Sequence, residues 1–395
     1  MQTTQCLILA GGYGSRLGHL TKKTPKPLIK INNKPFVLYL IKNLYRQGIR
    51  DIIILTFYKN SQFLKKSLIN FKDIKIKVIK EKKKLGTLGS VVNVKNFLQN
   101  RFFVVNGDTY FDFNIRDLEY NLLKRKKDVG VALTKIKSSE NKFSYQFYKG
   151  SLKKIDFSQK KIKYICGGLY YFKKKILNSY SNQILDIDKD LIKEVFRKKL
   201  IFAKYYKNNF LDIGTPKDLR RSSSFLKKNV IKPCAFLDRD GVINEDLGHV
   251  HTIKKTIWKK NIFKSVKYLN DNNFRVIILT NQAGIAKGYY TLRKFLDYSE
   301  WFCNEFFKNG AFIDQIYFSP FHPDGKIKKY SKKKNCRKPG NGMLIQALND
   351  WEIDKKKSFL IGDKETDLIA GKKSDIKSFL VQKNIFNQVK KLVKI

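Results

Sequence analysis

Apolar residues gather in short runs, each about one strand long: Cys6-Leu7-Ile8-Leu9, the stretch 52–55, Ile76-Lys77-Val78-Ile79, the stretch 102–105, and later Ala235-Phe236-Leu237, the stretch 276–279 and Phe359-Leu360-Ile361. Segments with helical spacing of their apolar positions separate them. Such alternation predicts strand–helix units with parallel sheets, in which ligands gather at the carboxyl ends of the strands. The pattern restarts near residue 230, where Arg221-Ser222-Ser223-Ser224 and a basic helix end precede Pro233 and a fresh buried strand. This sets a boundary between 222 and 232. The expected architecture is two doubly wound, Rossmann-like α/β domains over 1–225 and 233–395, with 226–232 as linker, and the length of 395 residues suits two domains.

Composition changes this picture in only a few places. The 82 Lys and Arg outnumber the 33 Asp and Glu, a net charge of +49 that would suit a nucleic-acid partner. Lysine is spread along the whole chain, however, together with Ile, Asn and Phe, and runs such as Lys82-Lys83-Lys84 and Lys332-Lys333-Lys334 read as solvated loops or helix faces. No nucleic-acid partner is expected. The five cysteines, Cys6, Cys166, Cys234, Cys303 and Cys336, are odd in number and widely separated, which points to a reducing cytoplasm rather than a disulfide framework. The longest apolar runs are strand-sized and the first residues lack a leader pattern, so no membrane association is expected.

After the first strand comes Leu9-Ala10-Gly11-Gly12-Tyr13-Gly14-Ser15-Arg16-Leu17-Gly18, and then Thr24-Pro25-Lys26-Pro27-Leu28. Closely spaced glycines let backbone amides approach a polyphosphate, to which Arg16 and Lys26 add positive charge. The glycines alone would fit a plain tight turn equally well; the added basic residues and the Pro-Lys-Pro step make the pattern specific. Over residues 4–225 the chain resembles the sugar-1-phosphate nucleotidyltransferases.

That resemblance implies several roles. Gly11, Gly12 and Gly14 would cradle the nucleotide. Leu85-Gly86-Thr87-Leu88-Gly89-Ser90 looks like the family's second glycine-rich loop, with Gly86 and Thr87 at base and ribose. Asp108 in Asn106-Gly107-Asp108-Thr109 and Asp212 in Phe210-Leu211-Asp212-Ile213-Gly214-Thr215-Pro216 match metal-site motifs and would hold Mg²⁺, although a lone Asp beside a turn is commonly a cap. Cys166-Gly167-Gly168-Leu169-Tyr170 matches a sugar-binding strand, which assigns Gly168 to the substrate. Lys160, in Gln159-Lys160 where many members carry Glu-Lys, would meet the sugar phosphate. The implied reaction is in-line attack of a sugar 1-phosphate oxygen on the α-phosphorus of a nucleoside triphosphate, with Arg16 and Lys26 neutralising charge. Glu81 stands where relatives that read thymine or uracil carry an amide. A carboxylate only accepts hydrogen bonds and suits the N1–H and N2–H₂ donors of guanine, so GTP is the favoured nucleotide.

The second domain opens with Phe236-Leu237-Asp238-Arg239-Asp240-Gly241-Val242-Ile243-Asn244. Two carboxylates two residues apart at a strand end resemble the haloacid dehalogenase superfamily of phosphatases. Leu279-Thr280-Asn281-Gln282, Cys336-Arg337-Lys338-Pro339 and Ile361-Gly362-Asp363-Lys364-Glu365-Thr366-Asp367 follow in that family's order. The resemblance makes Asp238 the nucleophile and Asp240 the acid–base. Thr280 and Asn281 would bind the phosphoryl group, Lys338 would stabilise the transition state, and Arg337 would take a second phosphate. Asp238, Asp363 and the Asp240 carbonyl would hold a second Mg²⁺. No inserted stretch is long enough for a cap domain.

Within that superfamily the nearest likeness, strengthened by Gly248-His249-Val250-His251 and the stretch 280–288, is to enzymes that remove the 7-phosphate of heptose 1,7-bisphosphate and to histidinol phosphatases. Those relatives carry a structural zinc loop, whose four ligand positions here read Ser319, Phe321, Lys334 and Cys336. One ligand, with His322 nearby, is too few for structural zinc, so the segment 319–335 is expected to be packed or mobile. The two chemistries are consecutive, since a phosphatase acting on heptose bisphosphate releases the heptose 1-phosphate that a nucleotidyltransferase consumes. The same pair acting on a hexose is the enzymatic alternative. A basic scaffold that merely binds anionic polymers is the other, and the intact Asp238, Asp240, Lys338, Asp108 and Asp212 argue against it.

Overall fold

A computed structural model describes residues 3–57, 60–64, 73–137, 142–148, 151–158, 162–181 and 183–394. The chain divides into two units, Met1–Lys228 and Asn229–Ile395. The stretch expected as a linker is helical for most of its length, because the helix Pro216–Val230 runs through it with Leu226 buried.

Seven strands form the main sheet of the first unit. Their order is Ile201–Tyr205, Val129–Lys137, Ile162–Lys173, Arg101–Asn106, Gln5–Leu9, Asp51–Thr56 and Lys75–Lys80. The four strands at the Lys75 end are mutually parallel. Ile162–Lys173 departs from the parallel expectation, running antiparallel to both neighbours. It is reached through the strand pair Lys142–Tyr148 and Ser151–Ser158 rather than through a crossover helix, and parallel pairing needs such a crossover.

Alternate residues of each central strand enter opposite cores. Cys6, Ile8, Ile52, Ile54, Phe103 and Val105 pack on one face, while Leu7, Ile53, Leu55, Phe102 and Val104 pack on the other. Coverage of both faces explains why these strands read as unbroken apolar runs instead of alternating with polar residues.

The second unit is an all-parallel sheet in the order Gln315–Ser319, Arg275–Asn281, Cys234–Leu237, Phe359–Gly362, Lys377–Leu380. It too has a core on each face, with Ala235, Leu237, Val276 and Ile278 in one and Cys234, Phe236, Ile277 and Leu279 in the other. Among the described residues no helix is long and apolar enough to cross a membrane.

Candidate active sites

In the first unit the carboxyl ends of the parallel strands open onto one cavity of about 420 Å³. Gly11, Gly12, Gly14, Arg16, Lys26, Glu81, Gly86, Thr87 and Asp108 all line it. Strand ends bring them together: Leu9 leads into the glycine loop, Lys80 into Glu81, and Asn106 into Asp108. Gly86 sits at φ +76°, and a β-carbon there would lie 2.4 Å from the Leu185 carbonyl, so this loop can approach its neighbour only as glycine.

Asp212 arrives from far along the chain. Its strand Asn209–Asp212 pairs antiparallel with Thr109–Asp112, opposing Asp212 to Thr109, and the Ile213 amide donates to the Asp108 carbonyl. Lys26 joins the two carboxylates: its Nζ lies 2.6 Å from Asp108 Oδ2 and 3.7 Å from Asp212 Oδ1. Burial, then repulsion from Asp108, raises the Asp212 carboxyl above its ordinary range, while Lys26 and Arg16 oppose the rise. Asp212 Oδ1 is buried without a hydrogen-bond partner. Two carboxylates with an unsatisfied buried oxygen form a donor set that a hard divalent cation would fit.

Glu81 is 4% exposed, and burial raises its pKa. A β-carbon on Gly11 would lie 2.8 Å from Glu81 Oε2, and Oε1 has no hydrogen-bond partner. A buried acceptor with nothing to accept is costly unless a ligand supplies the donor.

Gly168 does not line the cavity. It stands behind Asn106, whose Nδ2 lies 3.0 Å from where its β-carbon would be, and Asn106 itself forms the wall. Lys160 falls outside the described residues. Asp186 also lines the cavity, which the sequence did not signal: its side chain caps the following helical turn and accepts from the Thr87 hydroxyl at 3.1 Å.

The second site is built at the ends of Cys234–Leu237, Arg275–Asn281 and Phe359–Gly362. Asp238 is buried and its pKa is pushed up to about 7 by that burial, against the pull of Lys338. Lys338 Nζ lies 2.9 Å from Asp238 Oδ1 and 2.5 Å from Asp367 Oδ1, and donates to the Leu279 carbonyl at 2.8 Å. Carboxylate oxygens of Asp238, Asp363 and Asp367 lie within 4.8 Å of one another, and Asp363 Oδ1 is buried without a partner. This all-oxygen group also fits a hard divalent cation. Asp367 adds a carboxylate to the expected pair. Its sequence signal is the spacing to Asp363, one turn into the helix Glu365–Lys372. Gly241, at φ +85°, leaves room for Asp363, whose Oδ2 would stand 2.4 Å from a β-carbon there.

Asp240 is not part of this group. Its carboxylate is held by Arg239, which donates from Nη2 to both oxygens at 2.9 and 2.8 Å, by Asn244 at 2.9 Å and by Gln282 at 3.4 Å. Asn281, expected to touch substrate, spends its side chain elsewhere: Nδ2 donates to the Lys338 carbonyl and Oδ1 accepts the Lys338 amide, both at 3.0 Å. It orients the lysine. Thr280 Oγ1 accepts from Gln282 Nε2 at 2.8 Å, leaving its own hydroxyl hydrogen to donate. Arg337 is half-buried, with Nη1 near the Phe321 carbonyl.

The zinc-loop segment is packed. Ser319 Oγ and Cys336 Sγ meet at 3.4 Å, Phe321 and Tyr330 stack edge-on, and the Ile327 amide donates to the Ala286 carbonyl. These contacts hold the segment from Ser319 to Cys336.

The nucleotidyl transferase family model matches residues 5–229, and a HAD-hydrolase-like model matches 335–392. The chain thus belongs to the nucleotidyl transferase family through its first unit and to the HAD-type phosphatases through its second. More particularly, the second unit is similar to D-glycero-alpha-D-manno-heptose-1,7-bisphosphate 7-phosphatase of Photorhabdus laumondii, with 40% identity over 158 residues, 40% of this chain and 86% of the relative. The first is similar to D-glycero-alpha-D-manno-heptose 1-phosphate guanylyltransferase of Campylobacter jejuni, with 33% identity over 217 residues, 54% of this chain and 96% of the relative. Among solved structures, HddC from Yersinia pseudotuberculosis aligns at 27% identity with a TM-score of 0.48, over 56% of this chain and 99% of that one.

Proposed function

We propose that the chain is a bifunctional enzyme that removes the 7-phosphate of D-glycero-D-manno-heptose 1,7-bisphosphate and then transfers GMP from GTP to the resulting heptose 1-phosphate, releasing pyrophosphate. The observation that carries this reading is the presence, in one chain, of two complete lysine–aspartate sites whose relatives perform consecutive steps on one sugar.

In the phosphatase unit Asp238 attacks phosphorus and forms an aspartyl phosphate, Thr280 donates its hydroxyl to a phosphoryl oxygen, and Lys338 stabilises the added charge. Asp240 protonates the leaving alcohol and then takes a proton from water, its carboxylate held in place by Arg239. Arg337 binds the remaining phosphate. In the transferase unit Arg16 and Lys26 neutralise the triphosphate while the sugar phosphate attacks in line. Glu81 accepts from the guanine N1–H and N2–H₂, which satisfies its unpartnered oxygen. Lys160 takes the sugar phosphate, as the resemblance implies. Asp108 and Asp212 would hold Mg²⁺ in one unit, and Asp238, Asp363 and Asp367 with the Asp240 carbonyl in the other. When bound, the ion offsets charge on phosphoryl oxygens.

Incubation with heptose 1,7-bisphosphate, Mg²⁺ and each nucleoside triphosphate in turn tests the reading. Phosphate should appear with any nucleotide and pyrophosphate only with GTP. Absence of phosphate release, or pyrophosphate from a hexose 1-phosphate in preference to the heptose, would overturn it.

A further inference from the structure

Both sites set a buried lysine against two aspartates, yet the lysines are held differently. Lys338 has a third acceptor in the Leu279 carbonyl, and its backbone is clamped by Asn281. It is a fixed part of its site. Asp363, the third carboxylate of that group, is paired instead with the half-exposed Lys364 at 3.6 Å, and Lys364 is already engaged by Asp246 at 2.7 Å. With three carboxylates facing Lys338, this group keeps an excess of acidic oxygens that a divalent ion matches.

The first site balances otherwise. The side chain of Lys26 is 7% exposed, and its ammonium bridges Asp108 and Asp212, the two groups that a metal there would need. Arg16 Nη2 stands close by, 3.3 Å from where a Gly214 β-carbon would lie, and its charge also acts on Asp212. At the Asp108–Asp212 pair itself, two carboxylates face two cations, Lys26 and Arg16, which leaves little for a divalent ion to neutralise until one of them moves. An ammonium left in place would repel it.

We propose that Lys26 is an internal counter-cation that keeps divalent metal out of the first site until a triphosphate draws the lysine onto its own oxygens. The second site binds metal unaided. The inference rests on the nucleotide reading above and adds an order of loading to it. A polyphosphate offers Lys26 and Arg16 charged acceptors, which releases Asp108 and Asp212 to the ion. Linkage then requires that metal and nucleotide each raise the other's affinity at this site.

Mn²⁺, which takes the same oxygen ligands, is the probe, and free Mn²⁺ is counted by electron paramagnetic resonance on the full chain. Wild type should bind one ion per chain without nucleotide, lost in Asp363→Asn, and a second on adding a non-hydrolysable GTP analogue. Lys26→Met and Lys26→Gln keep the long stem and remove the charge. Each should bind the second ion without nucleotide, at least about tenfold more tightly than wild type does. Two ions in nucleotide-free wild type, or one ion in both folded variants as judged by thermal melting, would overturn the proposal. Calorimetry with the analogue separates the two readings: failure to bind it refutes the nucleotide assignment, while the nucleotide-free counts still decide the role of Lys26.

Discussion

Single residues set the chemistry through burial. In the proposed reading the buried Glu81 carboxylate accepts both guanine donors, and replacing it by Gln sets an NH₂ donor against one of them. Glu81→Gln should lower kcat/KM for GTP by roughly 10- to 100-fold, a loss of about 1.4–3 kcal/mol, and leave phosphate release unchanged; steady-state assays with each triphosphate check this. Asp188 gives a test on stability. It accepts from the hydroxyls of Tyr145 and Tyr170 at 3.2 and 3.1 Å, and burial raises its pKa from 3.8 to about 6. The folded chain therefore holds this proton more tightly than the unfolded one. The stabilisation is fully present below about pH 4 and is lost as pH rises through about 6, on the order of 3 kcal/mol at most. Asp188→Asn can still accept from both tyrosines, and its melting temperature should no longer show that decline between pH 4 and 6.

Elements decide which of these residues meet. The strand runs and the motifs at their carboxyl ends were legible because a strand covered on both faces leaves a continuous apolar signal, and Asp238, Asp108 and the glycine loop each follow one directly. Other parts of the sites were not legible locally. The resemblance named Asp212 beside Asp108, but the pairing of Asn209–Asp212 with Thr109–Asp112 that brings them together is not visible in either segment. Asp186 lines the same cavity as the glycine loop, from a turn whose sequence reads as an ordinary helix start. Asn281 read as a substrate contact because it sits in the phosphate-binding motif, while its side chain faces the Lys338 peptide and ties one strand end to the next loop. Asn281→Ala removes both bonds of that tie. It should reduce kcat for phosphate release by roughly 10- to 100-fold with little change in KM, since the lysine matters most where charge develops.

At the scale of the whole molecule, each unit carries its own sheet, its own pair of cores and its own lysine–aspartate site. Asp238→Asn should abolish phosphate release from the bisphosphate but still yield pyrophosphate from supplied heptose 1-phosphate and GTP, and Asp108→Asn should do the reverse; separate colorimetric assays of the two products decide it. The molecule's excess of basic residues draws anions from every side, and attraction alone cannot tell one end of a nucleotide from the other. In the proposed reading Glu81 supplies that distinction: its buried carboxylate lines the same cavity as Arg16 and Lys26 and would disfavour a phosphate tail at its own position, which gives that cavity a preferred direction of entry.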